Sequence, residues 1–103
     1  MLRGAIGNHL NRRHRGWAQD TSQALNAVRA NVIVDNGQIE LSEGKSTRGF
    51  RFLRAEGVTS EKLWTIDIYP NSYFRVKITG LEAQTFSGIP SLVWFLRGQL
   101  ARV

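Results

Sequence analysis

The chain has no cysteine, one methionine, two prolines and two histidines among its 103 residues. Lack of cysteine excludes disulfides, thiolate metal sites and a cysteine nucleophile, and it leaves the redox compartment open. No stretch approaches the roughly 20 consecutive apolar residues that span a bilayer. No apolar signal-peptide core lies near the start, so a cytoplasmic location is expected. His9 and His14 stand five positions apart in the first 16 residues, without a neighbouring carboxylate or thiolate. Ligands on one helix face recur at i and i+4, so this spacing predicts no metal site, and no cofactor motif accompanies it. Internal repeats and low-complexity tracts are also missing.

Acidic residues are missing from one end. Residues 1–16 hold Arg3, Arg12, Arg13 and Arg15 and no acid, a charge of +4. Residues 17–103 carry ten Lys or Arg against eight Asp or Glu, leaving +2 of the total +6. The chain therefore divides into a basic arm, 1–16, and a single domain, 17–103, of ordinary globular composition. A domain of this size buries a core with little margin, so oligomerisation would help it. The arm also contains Gly4, Gly7 and Gly16, which weaken a helix by about 1 kcal/mol each. Three readings of it compete: a phosphate-binding arm built on Arg12, Arg13 and Arg15, a targeting segment, and a solvated or partner-docked tail. Arginine outnumbers lysine eleven to three. That bias favours forked recognition of phosphate or carboxylate, and codon usage is an equal explanation.

The clearest structural feature is Lys62 to Thr79, KLWTIDIYPNSYFRVKIT. Two alternating runs flank a Pro-Asn-Ser break, which predicts an antiparallel hairpin. A period of two puts Trp64, Ile66, Ile68, Phe74, Val76 and Ile78 on a core face. Thr65, Asp67, Tyr69, Tyr73, Arg75 and Lys77 then share the other face, where Arg75 or Lys77 can pair with Asp67 across strands.

Around this hairpin the pattern predicts further elements. Asp20 to Ala30 reads as a helix, capped by Asp20 with Gln23 completing a capping box, and apolar along Ala24, Leu25 and Val28. Asn31 to Leu41 reads as a second hairpin turning at Asn36-Gly37, the strongest short signal for a type I′ turn. Ser42 to Thr47 reads as a polar loop. Its Gly44-Lys45-Ser46 lacks the glycine a P-loop needs five residues upstream, where Ile39 stands. Gly49 to Glu56 is an extended run in which Leu53 and Arg54 break strict alternation, a sign of a bulge or of cover on both faces. Gly57 to Glu61 is expected to turn the chain, and Gly80 to Gly88 to link it onward. Ile89 to Val103 reads as a closing helix with Pro90 in its first turn and Ser87 or Ser91 as cap.

These elements predict an α+β fold: an N-terminal helix, an antiparallel sheet of about five strands joined as a hairpin meander, and a C-terminal helix packed on the sheet. The closing helix is apolar over a wider arc than one sheet contact requires. Leu92, Val93, Trp94, Phe95, Leu96 and Leu100 are therefore candidates for a homo-oligomer interface.

The residue inventory offers little for catalysis. The histidines lie in the arm, Asp67 stands alone on its face, and the serines fall in predicted loops or caps. A non-enzymatic domain is expected. Tyr69, Tyr73, Arg75 and Lys77, joined by Arg51 from an adjoining strand, form a candidate surface for single-stranded or non-specific nucleic acid, with Arg12, Arg13 and Arg15 adding attraction. The bland reading is an ordinary solvated strand face. The alternative function is an oligomeric scaffold or small-ligand-binding module with no nucleic-acid role. No membrane partner is expected.

Overall fold

A computed structural model describes residues 19–70 and 72–100. Helix α1 occupies 19–31 of these, followed by a 3₁₀ turn at Asp35–Gly37. Strands β1 (Glu40–Lys45), β2 (Arg51–Thr59), β3 (Lys62–Tyr69), β4 (Tyr73–Ile78) and β5 (Gln84–Ser87) come next, and helix α2 (Ile89–Gln99) closes the chain. The five strands form one antiparallel sheet in sequential order, β1-β2-β3-β4-β5. The architecture is the α+β meander expected. Among the described residues no helix is long and apolar enough to cross a membrane.

The central hairpin pairs as its alternation predicts, with Ile66 opposite Val76 and Ile68 opposite Phe74. Trp64, Ile66, Ile68, Phe74, Val76 and Ile78 are all buried. Both helices close over this inner face: Ala24 and Val28 of α1, and Leu92, Phe95, Leu96 and Leu100 at the end of the chain, join the strand residues in one apolar cluster. Each fully buried Leu, Ile or Phe is worth roughly 1.5–3 kcal/mol, so this shared face is the main source of stability. A polar pin holds its margin. Thr59 Oγ1 donates to the Ile33 carbonyl at 2.7 Å and accepts from Trp64 Nε1 at 3.0 Å, tying the segment after α1 to the end of β2.

Several local expectations are corrected. Residues 31–34 do not form a strand. Asn31 ends α1 and residues 32–34 are irregular, with Val32 buried in the core and Ile33 exposed. The left-handed geometry foreseen at Asn36 and Gly37 is present, at φ 63° and 64°. No hairpin follows from it, because β1 pairs with β2 instead. β1 takes in Ser42 to Lys45, which were expected in a loop, and β5 forms inside the expected linker 80–88. The strand count agrees although two of the five strands lie elsewhere. Gly57 sits within β2, whose register runs without a bulge past Leu53 and Arg54. The turn is confined to Ser60 and Glu61, at φ 51° and 68°.

Asp20 lies inside α1 rather than capping it, and its carboxylate accepts from Ser72 Oγ at 2.6 Å beside the β3–β4 turn. Neither Ser87 nor Ser91 caps α2, whose N-cap is Gly88 with no side-chain bond. Pro90 does occupy the first turn. The helix ends at Gln99, where the Leu100 N–H donates to the Leu96 carbonyl at 2.7 Å. Val103, the last residue of the predicted closing helix, lies outside the described residues.

Candidate functional site

The outer face of the sheet carries the candidate surface, and strand register decides its membership. Arg54 of β2, Asp67 of β3 and Arg75 of β4 stand directly across from one another, with Thr85 of β5 beyond. One row toward the β3–β4 turn, Tyr69 pairs with Tyr73, and Tyr73 with Ser87. Phe52 adjoins Tyr69 on the β2 side and pairs with Gly44 of β1. In the opposite direction lie Glu56, Thr65 and Lys77.

Asp67 organises this surface. Its side chain is only 3% exposed, and Arg54 grips it in a two-pronged contact, Nε to Oδ1 at 2.6 Å and Nη2 to Oδ2 at 3.0 Å. Arg75 Nη1 stands 4.0 Å from Oδ2, at the limit of an ion pair. Of the partners named from sequence, Arg75 or Lys77, Arg75 does approach Asp67 but is the weaker contact beside Arg54. Lys77 turns away and donates to the Leu81 carbonyl. The Asp67 hydrogen bond raises the Arg54 pKa further above its already high ordinary value. Arg54 and Arg75 remain 39% and 49% exposed, so both keep guanidinium edges open to solvent.

Beside the arginines runs an aromatic row. The Phe52 and Tyr69 rings are 5.2 Å apart and tilted, and Tyr69 meets Tyr73 edge-on at 6.1 Å. The Arg54 guanidinium carbon sits 5.3 Å from the Phe52 ring centre. Phe52 fits here because its partner Gly44 has no side chain: a Cβ there would fall 2.5 Å from Phe52 Cε1. Aromatic cover of a strand glycine is a recognised way to pin register. Burial, and secondarily the Asp67 charge, raises the Tyr69 pKa above the ordinary tyrosine value. Tyr73 is 44% exposed and presents the most open ring of the row.

Tyr69, Tyr73, Arg75 and Lys77 are thus brought onto one face as expected. Arg51 is not. It precedes Phe52 by one residue in β2 and so projects from the opposite side of the pleat. Phe52 and Arg54 take the place assigned to it. Part of the signal was present, since Phe52, Arg54 and Glu56 share one parity; the burial of Asp67, which calls for a cation directly across, came only with the fold. Arg12, Arg13 and Arg15 lie outside the described residues. Of the six residues proposed as an oligomer interface, Leu92, Phe95, Leu96 and Leu100 are buried within the chain itself, Val93 is half-buried, and Trp94 is 78% exposed.

The charge of the outer face is balanced. Arg54, Arg75 and Lys77 oppose Asp67, Glu56 and Glu40, three against three. Near its far edge, Asp35, Glu40 and Glu56 border an open hollow of about 220 Å³. Among the described residues no group of three or more His, Cys, Asp or Glu is placed to hold a metal ion. Comparison with protein-family models, with curated proteins and with solved structures returned no match, so the surface is read from its own chemistry.

Proposed function

We propose that the chain is a non-catalytic binding domain whose outer sheet face holds single-stranded nucleic acid. The observation that carries this reading is the aromatic row Phe52, Tyr69 and Tyr73 lying alongside two arginines oriented by Asp67. Unstacked bases can lie on Tyr73 and the exposed part of Tyr69, and the free guanidinium edges of Arg54 and Arg75 can meet the phosphates. A sheet-borne ring requires a base out of its helix, which favours single strands over duplex.

The balanced face assigns the remaining attraction to the arm. The described residues carry nine Lys or Arg against eight Asp or Glu, so most of the long-range pull on a polyanion comes from Arg3, Arg12, Arg13 and Arg15, with Arg102 supplying the remaining excess charge. The experiment is a fluorescence titration of the full chain with a labelled oligonucleotide single strand at low and moderate salt. Affinity should fall linearly on logarithmic axes, with a slope of about −0.7 per phosphate neutralised. No binding at low salt overturns the proposal.

A further inference from the structure

The strand at the other end of the sheet carries an interaction surface of its own. β5 is an edge strand whose outward side meets no other strand among the described residues. Natural edges are protected by charge, proline or bulges. The β1 edge follows that rule, with Glu40, Glu43 and Lys45 in six residues. β5, Gln84-Thr85-Phe86-Ser87, has none of these and is guarded only by its four-residue length. Beside it, Phe86, Pro90, Ser91 and Trp94 line a shallow, mainly apolar hollow of about 450 Å³. Trp94 is the most exposed large apolar side chain described.

Backbone direction specifies what can dock. The Gly88 N–H donates to the Ser72 carbonyl at 2.8 Å, one position beyond the Tyr73–Ser87 pair. The alternation of an antiparallel ladder then turns the backbone groups of Gln84 and Phe86 toward β4, and those of Thr85 and Ser87 outward. Two outward residues separated by one form a self-complementary pattern. Rotated by a two-fold axis through Phe86, Thr85 of one copy faces Ser87 of the other, and the reverse, giving about four backbone hydrogen bonds. Phe86 meets its own copy at the axis as a close, non-hydrogen-bonded pair. Its ring is on the helix side, tilted against Phe95 with ring centres 4.9 Å apart, so the hollow with Trp94 faces the same junction. Because β5 carries no charge, the two-fold brings no like charges of the strand together.

We propose that two copies of this chain join at β5 into one continuous ten-stranded sheet, with Trp94 of each copy covering the junction. A four-residue edge falls short of the roughly 800 Å² per partner of a standard interface, so the α2 surface around Trp94 must supply much of the contact. The inference is independent of nucleic-acid binding, because it uses the sheet edge and the helix side rather than the outer face.

Sedimentation of the full chain over a wide concentration range tests it. The mass should rise from 11.6 kDa toward twice that value. Thr85→Pro removes an outward N–H while leaving the β4 ladder intact, and Trp94→Ala trims an exposed side chain. Each should weaken the dimer at least about tenfold with an unchanged circular dichroism spectrum. Amide hydrogen exchange of the unaltered chain gives a second measurement that needs no variant: Thr85 and Ser87 should become protected as concentration rises. A monomer at every concentration overturns the proposal. So does a dimer unaffected by both variants, one abolished by removing residues 1–18 while exchange at Thr85 and Ser87 stays constant, or one with no protection at those amides.

Discussion

Gly57 stands directly across the β2–β3 ladder from Trp64, and a Cβ at Gly57 would fall 2.5 Å from Trp64 Cζ2 and 2.9 Å from Cη2. Gly44 stands in the same relation to Phe52 on the other face. Each surface of the sheet thus seats one aromatic ring over one glycine of the adjoining strand. The inner pair fills the core and the outer pair begins the aromatic row.

Gly57→Ala should destabilise the fold by about 1–3 kcal/mol, the usual cost of overpacking a closed core. Trp64 is fully buried and its Nε1 is held by Thr59, so the ring has nowhere to retreat. Urea denaturation followed by tryptophan fluorescence measures the loss. An unchanged midpoint would mean that the indole can shift freely.

Glu61→Gly should stabilise the chain by about 1 kcal/mol. Ser60 and Glu61 make a two-residue hairpin at φ 51° and 68°, a left-handed conformation that costs an L-residue roughly 1–2 kcal/mol and glycine almost nothing. Part of that gain is offset by the greater freedom of glycine in the unfolded chain. Thermal unfolding of the variant checks the sign.

Arg54→Met should cost more than Asp67→Asn. Loss of Arg54 leaves a carboxylate that is 3% exposed with only Arg75 at 4.0 Å, whereas loss of the Asp67 charge frees two arginines that water already reaches. Partial exposure of Arg54 lowers the penalty of a stranded buried charge to about 2–3 kcal/mol, against about 1 kcal/mol for Asp67→Asn. Chemical denaturation of both variants tests the order, and the reverse order would show that Arg75 or solvent serves Asp67 fully.

Stability should fall as pH rises through and beyond the ordinary tyrosine range. The Tyr69 pKa is raised in the folded chain by burial, so above the unfolded value the native state holds a proton that the unfolded state has lost. The difference in bound protons then makes unfolding easier with each step in pH until the folded pKa is passed. Tyr69→Phe should flatten this alkaline loss. An identical pH profile in that variant would remove Tyr69 as its source.

Tyr73→Ala should weaken single-strand binding by roughly 5- to 100-fold, the range expected when one stacking ring is removed, without loss of fold. The ring is 44% exposed and touches only the edge of Tyr69 in the aromatic row. Deleting residues 1–16 should instead flatten the salt dependence, because residues 17–103 carry a charge of only +2, ten cations less eight acids. Equal affinity in the Tyr73 variant would eliminate stacking, and an unaltered salt slope after the deletion would eliminate the arm.

What sequence alone determined was every feature that a local period writes down. Alternation over Lys62 to Thr79 sorted Trp64, Ile66 and Phe74 from Asp67, Tyr73 and Arg75, because strand side chains must alternate once one face is buried. The helical spacing of Leu92, Phe95 and Leu96 marked one apolar side of α2 but assigned it to contact between copies, whereas the fold buries those three side chains within the chain itself. Pairing was not legible in this way. Asn36-Gly37 has the dihedral angles its residue types favour, yet only the packed fold decided that 31–34 would form no strand and that β1 would pair with β2. Gly57 looked like a turn residue because its role, accepting the Trp64 ring, depends on a side chain seven positions away across a ladder. Arg51 and Arg54 are equivalent in composition, and opposite parity along β2 separates the cation that grips Asp67 from the one on the far side. Local chemistry sets the conformation a residue prefers, whereas partners arise from burying the apolar face as a whole, and that choice belongs to the tertiary structure.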